Sequence, residues 1–337
     1  MLKESVMDRR TAISNLVSDR FKALLYSVAI LLAVPQGVEA AILVESWKPI
    51  FQGIDYATGS SDASEPRLQK VNALRIDLFN PEIAFFSTPS NRDAELETFG
   101  QTTSDFLVSS GVQVAVNANF FAPCCAAAPE PKDLLGLAIS KGEIVSPPDE
   151  IALPQNELAG SLLIGQDNRS QIVKTSVTDD FSNVFTAVSA SPRLLLDGQI
   201  TVDFNPIDAF AGLNPRTAVG LSQDEQYLIL ITIDGRQPGF SEGATLYETA
   251  EWLTRFGSFQ GLNLDGGGST TMVRQDEFGN PQLLNNPSGQ ERFNGNNFGV
   301  FAKSIPVGIT PIPEPQPPLA LFVASFLAYM VWQRRNK

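Results

Sequence analysis

The spacing of apolar residues divides the middle of the chain into short strands. Val71 to Phe79 alternates apolar and polar positions at the two-residue period of a half-buried strand. Val112 to Ala118 (VQVAVNA) reads as another, followed by a Pro/Ala loop at residues 122–133. Leu137 to Val145 and Arg193 to Val202 predict hairpins around Lys141-Gly142 and Asp197-Gly198. Thr217 to Ser222 and Tyr227 to Asp234 predict two strands joined by a polar turn. The second, YLILITID, is apolar almost without interruption, as expected of a strand covered on both faces. Helical signals are few. Thr102 to Ser110 predicts a short helix, and Thr245 to Phe256 an amphipathic one. Thr245 with Glu248 fits a capping box there, and Gly257 fits the C-terminal stop. Phe259 to Leu264 is the next strand. The pattern predicts an α+β fold: a strand-rich mixed sheet with a few helices and one strand-helix-strand crossover. The two strands of such a unit run parallel, and the crossover is right-handed. Ligands collect beyond their carboxyl ends, which here are Asp234-Gly235-Arg236 and Asp265-Gly266-Gly267-Gly268-Ser269-Thr270.

Both ends of the chain read as sorting segments. Lys3, Arg9, Arg10, Arg20 and Lys22 precede an apolar run from Ala23 to Val34, then Val38-Glu39-Ala40. That run is short for a membrane span and suits a secretory signal, so 1–40 is expected to be a signal peptide cleaved after Ala40. Residues 306–318 end in PIPEPQPP, a stiff polyproline-type spacer. Leu319 to Trp332 is apolar, and Arg334, Arg335 and Lys337 close the chain. Fourteen helical residues would reach only about 21 Å, thin for a permanent anchor. Pro313-Glu314-Pro315, an apolar helix and a basic end resemble a PEP-CTERM sorting signal. That resemblance implies a bacterial protein, a membrane contact through residues 319–337 and processing by an exosortase-like enzyme. The expected body is 41–305, exported to the cell surface, periplasm or medium.

Composition narrows the chemistry. The chain has 337 residues, two cysteines and no histidine. Triads, zinc helices and any His general base are therefore absent. Proton transfer falls to carboxylates, Tyr, Lys or water. No cofactor is required by any motif, and a metal would need an oxygen-rich site suited to Ca²⁺ or Mg²⁺. The net charge is −13. Five basic and four acidic residues lie in 1–40, and three and one beyond 305, so the body carries −16. Nucleic acid is excluded as a partner, and an anionic substrate needs a locally positive site. The adjacent Cys124 and Cys125 leave two readings open: two small loop residues, or a vicinal disulfide shaping a loop.

Three segments carry candidate chemistry. In DGGGSTT, Gly266, Gly267 and Gly268 permit a nest of amide hydrogens for an anion. Ser269 and Thr270 add hydroxyls there, and Asp265 adds a carboxylate. In NPRTAVG, Arg216 suits bidentate capture of phosphate, beside Thr217. In NANFF, Asn117 and Asn119 point the same way along a strand and suit sugar hydroxyls. Arg236 is a further cation, and Asp234 and Glu248 are further carboxylates, the latter also a capping residue.

Together NANFF, NPRTAVGL, DGR with its helix and LNLDGGGSTTM resemble the phosphodiester glycosidase family over roughly residues 70–303. In the later segment ERFNGNNFGVF, Phe293 stands where the family pattern has proline, which leaves Arg292 and Asn296 without an assigned role. The resemblance implies hydrolysis of the glycosidic bond of a sugar-1-phosphodiester, here in surface polysaccharide metabolism. Asp265 is then the first catalytic choice, with Asp234 or Glu248 as the second carboxylate. Asn117, Asn119, Arg216, Thr217, Arg236 and residues 266–270 are the expected substrate contacts. Two other functions compete: a non-catalytic carbohydrate-binding surface protein, and an oxygen-liganded, metal-dependent phosphodiesterase.

Overall fold

The computed structural model describes residues 42–306, apart from 65–66, 93–94, 126 and 149–158. Both expected sorting segments lie outside these residues. Among the described residues, no helix is long and apolar enough to cross a membrane.

A nine-stranded sheet organises the fold. Its central order is Ile54–Ser61, Gln69–Asp77, Tyr227–Ile233, Arg216–Leu221, Gln260–Asn263 and Arg193–Leu196, and each of these neighbours pairs antiparallel. The apolar run at Tyr227 is covered on both faces, as its composition requires. Leu228 and Leu230 enter one core cluster with Val219 and Leu262. Ile229, Ile231 and Ile233 enter another with Leu246, Ala250, Trp252 and Leu253 of the helix.

That helix, Leu246–Arg255, starts at Thr245 with both halves of the capping box formed. Gly257 takes a φ of 98°, which lets the chain leave the helix for the next strand. The expected crossover is modified in one respect. Tyr227–Ile233 and Gln260–Asn263 run in the same direction but are not neighbours, because Arg216–Leu221 lies between them and pairs antiparallel with both. Their carboxyl ends still open on one edge of the sheet. With ladder neighbours roughly 4.8 Å apart, the two ends stand about 10 Å apart with Arg216 between them.

A five-stranded sheet packs against the first cluster. It contains Val114–Asn117, Met272–Gln275 and Asn297–Phe301. Asn117 therefore reaches the same edge from the opposite layer. The hairpins turn where expected, with Lys141, Gly142, Asp197 and Gly198 all at positive φ. A second five-stranded sheet holds Ala138–Ser140, Gly160–Ile164 and Thr186–Ala190. The expected loop at 122–133 is interrupted by the strand Pro131–Leu134. Cys124 and Cys125 are joined in a disulfide within that loop and are exposed.

Candidate active site

A cavity of about 200 Å³ opens at the shared sheet edge. Asp265, Gly266, Gly267 and Gly268 line it, with Arg216, Arg236 and Arg292, Asn214 and Asn263, and Phe120 and Phe210. Asp265 is the one carboxylate among the described residues that line it. Its backbone is fixed at both ends. Its N–H donates to Ala118 O at 2.9 Å, and its carbonyl accepts from Asn117 Nδ2 at 2.5 Å.

Burial pushes the Asp265 carboxyl up to about 6, against Ser269 and Gly266 N–H, which hydrogen-bond it, and Arg292, which attracts its charge. Arg292 Nη1 in turn donates to Ser269 Oγ at 3.1 Å. Ser269 thus links the guanidinium to the carboxylate. A carboxylate poised near neutrality in a cleft is suited to proton transfer.

The glycine run works differently from the expected nest. The N–H groups of Gly267, Ser269 and Thr270 donate to Pro215 O, Gly266 O and Gly267 O, so they are not free to converge on an anion. What the glycines supply is space. A Cβ on Gly267, which sits at φ +62°, would lie 3.1 Å from Arg236 Nη2, and one on Gly268 would collide with the Arg292 guanidinium. Glycine lets two guanidinium groups approach the backbone beside Asp265.

Arg216 lines the cavity, yet most of its donors are engaged within the chain. Nε donates to Ala244 O at 3.0 Å, and Nη2 donates to Phe210 O at 2.8 Å and Gly212 O at 2.5 Å. It fastens the 208–214 loop to the sheet edge. Burial and the nearby Arg236 lower it to about 10, so it keeps its charge at neutral pH. Arg236 is exposed and donates to Asn214 Oδ1 at 2.8 Å.

The two asparagines of NANFF hold backbone in place. Asn117 Oδ1 accepts from Thr217 Oγ1 at 2.7 Å and from Thr271 N at 3.1 Å. Asn119 donates to the carbonyls of Leu135, Gly136 and Leu137 and accepts from Ser189 N and Asn296 Nδ2. Phe120, which follows Asn119, is the residue of this segment that lines the cavity. Thr217 is fully buried, and Thr270 Oγ1 is buried without a partner among the described residues.

The two other carboxylates lie elsewhere. Glu248 Oε2 accepts from Thr245 N at 2.8 Å, and its Oε1 pairs with Arg67. It is a cap and a buried ion-pair partner. Asp234 lines a second cavity that shares no lining residue with the first. Its Oδ1 accepts from Asn285 Nδ2 at 3.1 Å and Asn286 N at 2.9 Å, and burial pushes its carboxyl up to about 6.

Two contributors were not expected from sequence. Arg292, which the sequence left without an assigned role, lies in the loop before the strand Asn297–Phe301. Asn263 precedes Asp265 by two residues and so reaches the same face of the strand end. Its Nδ2 donates to Ser191 O at 2.8 Å, while its Oδ1 is buried without a partner among the described residues.

The phosphodiester glycosidase family model matches residues 110–301, over half of the chain. The chain belongs to the phosphodiester glycosidase family. The match spans the whole cavity lining and the sheet edge beneath it. A mouse N-acetylglucosamine-1-phosphodiester alpha-N-acetylglucosaminidase is 28% identical over 185 residues, which are 51% of this chain and 34% of that enzyme. This chain therefore spans about a third of that relative's length. The catalytic domain of the zebrafish enzyme shares the fold at 18% identity, with a TM-score of 0.54 over 78% of this chain and 89% of that one. A hypothetical protein from Synechocystis aligns at 16% identity and a TM-score of 0.52, over 75% and 62% of the two chains. The family is one of glycosidase-type phosphodiester hydrolases. Among the described residues, no group of three or more acidic, Cys or His side chains could hold a metal ion.

Proposed function

We propose that this family member hydrolyses the glycosidic bond of sugar-1-phosphodiesters outside the cytoplasm, in surface polysaccharide metabolism. The observation that carries the reading is the charge arrangement in the cavity: Asp265, which attracts Arg292, shares its lining with Arg216, Arg236 and Arg292. The bond that breaks is C1–O, and its electron pair moves onto a phosphate oxygen. Such a leaving group is already anionic and needs charge stabilisation more than a proton. Arg236 and Arg292 supply it in a site partly screened from water. Asp265 faces the sugar carbon, balances its developing positive charge and takes the proton of the attacking water. Asn263 Oδ1 accepts a sugar hydroxyl, and Phe120 and Phe210 line the apolar wall. The products are free sugar and a phosphomonoester. A general acid on a second carboxylate is not needed, consistent with Glu248 and Asp234 standing outside the cavity.

A donor set of three guanidinium groups repels a divalent cation, so the reaction is expected to run without Ca²⁺ or Mg²⁺. Export, the signal peptide and the PEP-CTERM-like tail belong to the same proposal and rest on residues 1–40 and 306–337. The test is product analysis on a synthetic N-acetylglucosamine-1-phosphate diester. Free N-acetylglucosamine with an intact phosphomonoester supports C–O cleavage. Release of N-acetylglucosamine-1-phosphate would assign P–O cleavage instead. Glycan binding without turnover across a panel of such diesters would make the protein a binding module.

A further inference from the structure

The cavity around Asp234 is a second candidate site. It measures about 380 Å³, within the roughly 300–1,000 Å³ of small-molecule sites. Its walls include Glu45, Lys70, Asn72, Asp234, Phe240 and Asn285. Asp234 is 2% exposed, yet only Oδ1 is hydrogen-bonded; among the described residues Oδ2 has no partner and opens into the cavity. That oxygen is not among the buried unpartnered atoms, so it is open to solvent in the cavity and available to accept from a ligand hydroxyl.

The surrounding groups are complementary to it. Asn72 is 6% exposed; its Oδ1 accepts from the Tyr56 hydroxyl at 2.7 Å, which aims a fixed amide whose Nδ2 has no partner among the described residues. The Lys70 ammonium has no ion-pair partner among them either. Phe240 is 41% exposed and offers an apolar face on the same wall. Asn285 is held by Met272 N at 2.7 Å and by Thr270 O at 3.2 Å, so the carboxylate rests on a rigid support.

One free oxygen on a fixed carboxylate, a second carboxylate at Glu45, an amide donor, an ammonium and an exposed ring suit a hydroxyl-rich, uncharged ligand with one apolar face. We infer that this cavity binds a sugar residue of a glycan, as a subsite separate from the cavity at Asp265. Two carboxylates, Glu45 and Asp234, line it with an ammonium, and among the described residues no group of three or more acidic, Cys or His side chains could hold a metal ion.

The site is tested by titrating the purified protein with N-acetylglucosamine, galactose and mannose in turn, and with inorganic phosphate. The side-chain amide signals of Asn72 and Asn285 are followed by NMR. At least one sugar is expected to shift both signals, and phosphate neither. Asp234→Asn and Phe240→Ala are each expected to weaken that binding about tenfold. Arg292→Ala, which alters the first cavity, is expected to leave it intact. Because Phe240 is exposed, its variant keeps the fold and reads the site even if Asp234→Asn does not fold. No shift at Asn72 and Asn285 with any of the three sugars, or shifts indifferent to Phe240→Ala, would overturn the inference. It stands or falls apart from the catalytic reading: sugar bound at Asn72 without diester turnover would remove the enzyme and keep this subsite.

Discussion

Replacing Asp265 by asparagine is the sharpest test of the mechanism. The amide keeps the shape and can still accept from Ser269. It can neither take a proton nor balance positive charge on the sugar carbon. Proton transfer by a positioned base contributes about 10²–10⁴-fold, and electrostatic stabilisation a similar amount. A loss near 10³ in kcat/KM is expected, which is about 4 kcal/mol at 1.36 kcal/mol per factor of ten. Stability should move the other way. The Asp265 carboxyl is pushed up to about 6 from an ordinary value of 3.8. A group raised on folding favours the folded state when protonated; that contribution is complete below about pH 4 and is lost as pH rises through about 6. Above pH 6 the ionised carboxylate weighs against the fold, so Asp265→Asn should have an unchanged or higher Tm at pH 7. Wild-type kcat/KM should rise with pH through about 6 as Asp265 ionises. The assays are diester hydrolysis from pH 4.5 to 8 and thermal unfolding of both proteins. A folded Asp265→Asn with wild-type kcat/KM, or a wild-type rate that falls through pH 6, would refute the assignment.

Arg292→Ala should cost about 10²–10³ in kcat/KM with the fold retained, and Arg292→Lys should recover part of it; equal activity of Arg292→Ala and wild type would remove Arg292 from the site. Gly268→Ala places a Cβ against the Arg292 guanidinium and should lower kcat/KM by about 10² through misplacement alone, measured at unchanged Tm. Glu248→Gln breaks a buried pair with Arg67 and should destabilise by about 3–5 kcal/mol; a collapse of kcat at unchanged Tm would return Glu248 to the mechanism. Exhaustive dialysis against EDTA should leave turnover intact, and a loss restored by Ca²⁺ or Mg²⁺ would show that a cation takes part.

Periodicity located the parts of the fold whose neighbours lie close in sequence. The capping box at Thr245, the hairpins at Lys141 and Asp197, and the doubly buried Tyr227 run all carry local signatures, and each forms. The order of strands was not legible. Arg216–Leu221 inserts between the two strands of the predicted crossover, because pairing across the sheet depends on registers no local pattern records. The same limit applied to the site. Asp265 could be placed because it ends a strand beside glycines. Arg292 could not, since its position is set by contact with Ser269, 23 residues away in the chain. Asp234 and Asp265 look equivalent in sequence, each a carboxylate at the end of a parallel strand. They line different cavities, and only the three-dimensional packing separates them.

The charge balance explains why the guanidinium groups gather where they do. A chain at −13 surrounds any approaching phosphate with repulsion. In the Asp265 cavity three arginines face one carboxylate, so the local sign is reversed. The backbone conformation follows from this demand. Arg236 adopts a φ of 59°, uncommon for a side chain with a Cβ, and Gly267 one of 62°. These positions bring Arg236 beside the glycine run while the carbonyls at 210, 212 and 244 hold Arg216. On the proposed mechanism, such a fixed arrangement would stabilise charge developing on the phosphate without reorganising at the moment of reaction. It also ties selectivity to the leaving group. An ordinary glycoside releases an alkoxide that needs a proton, and the cavity has no second carboxylate to give one. Phosphate-linked sugars should therefore turn over, while aryl and alkyl glycosides of the same sugar should not. Comparable rates on both would mean that the arginines hold the substrate without acting on its leaving group.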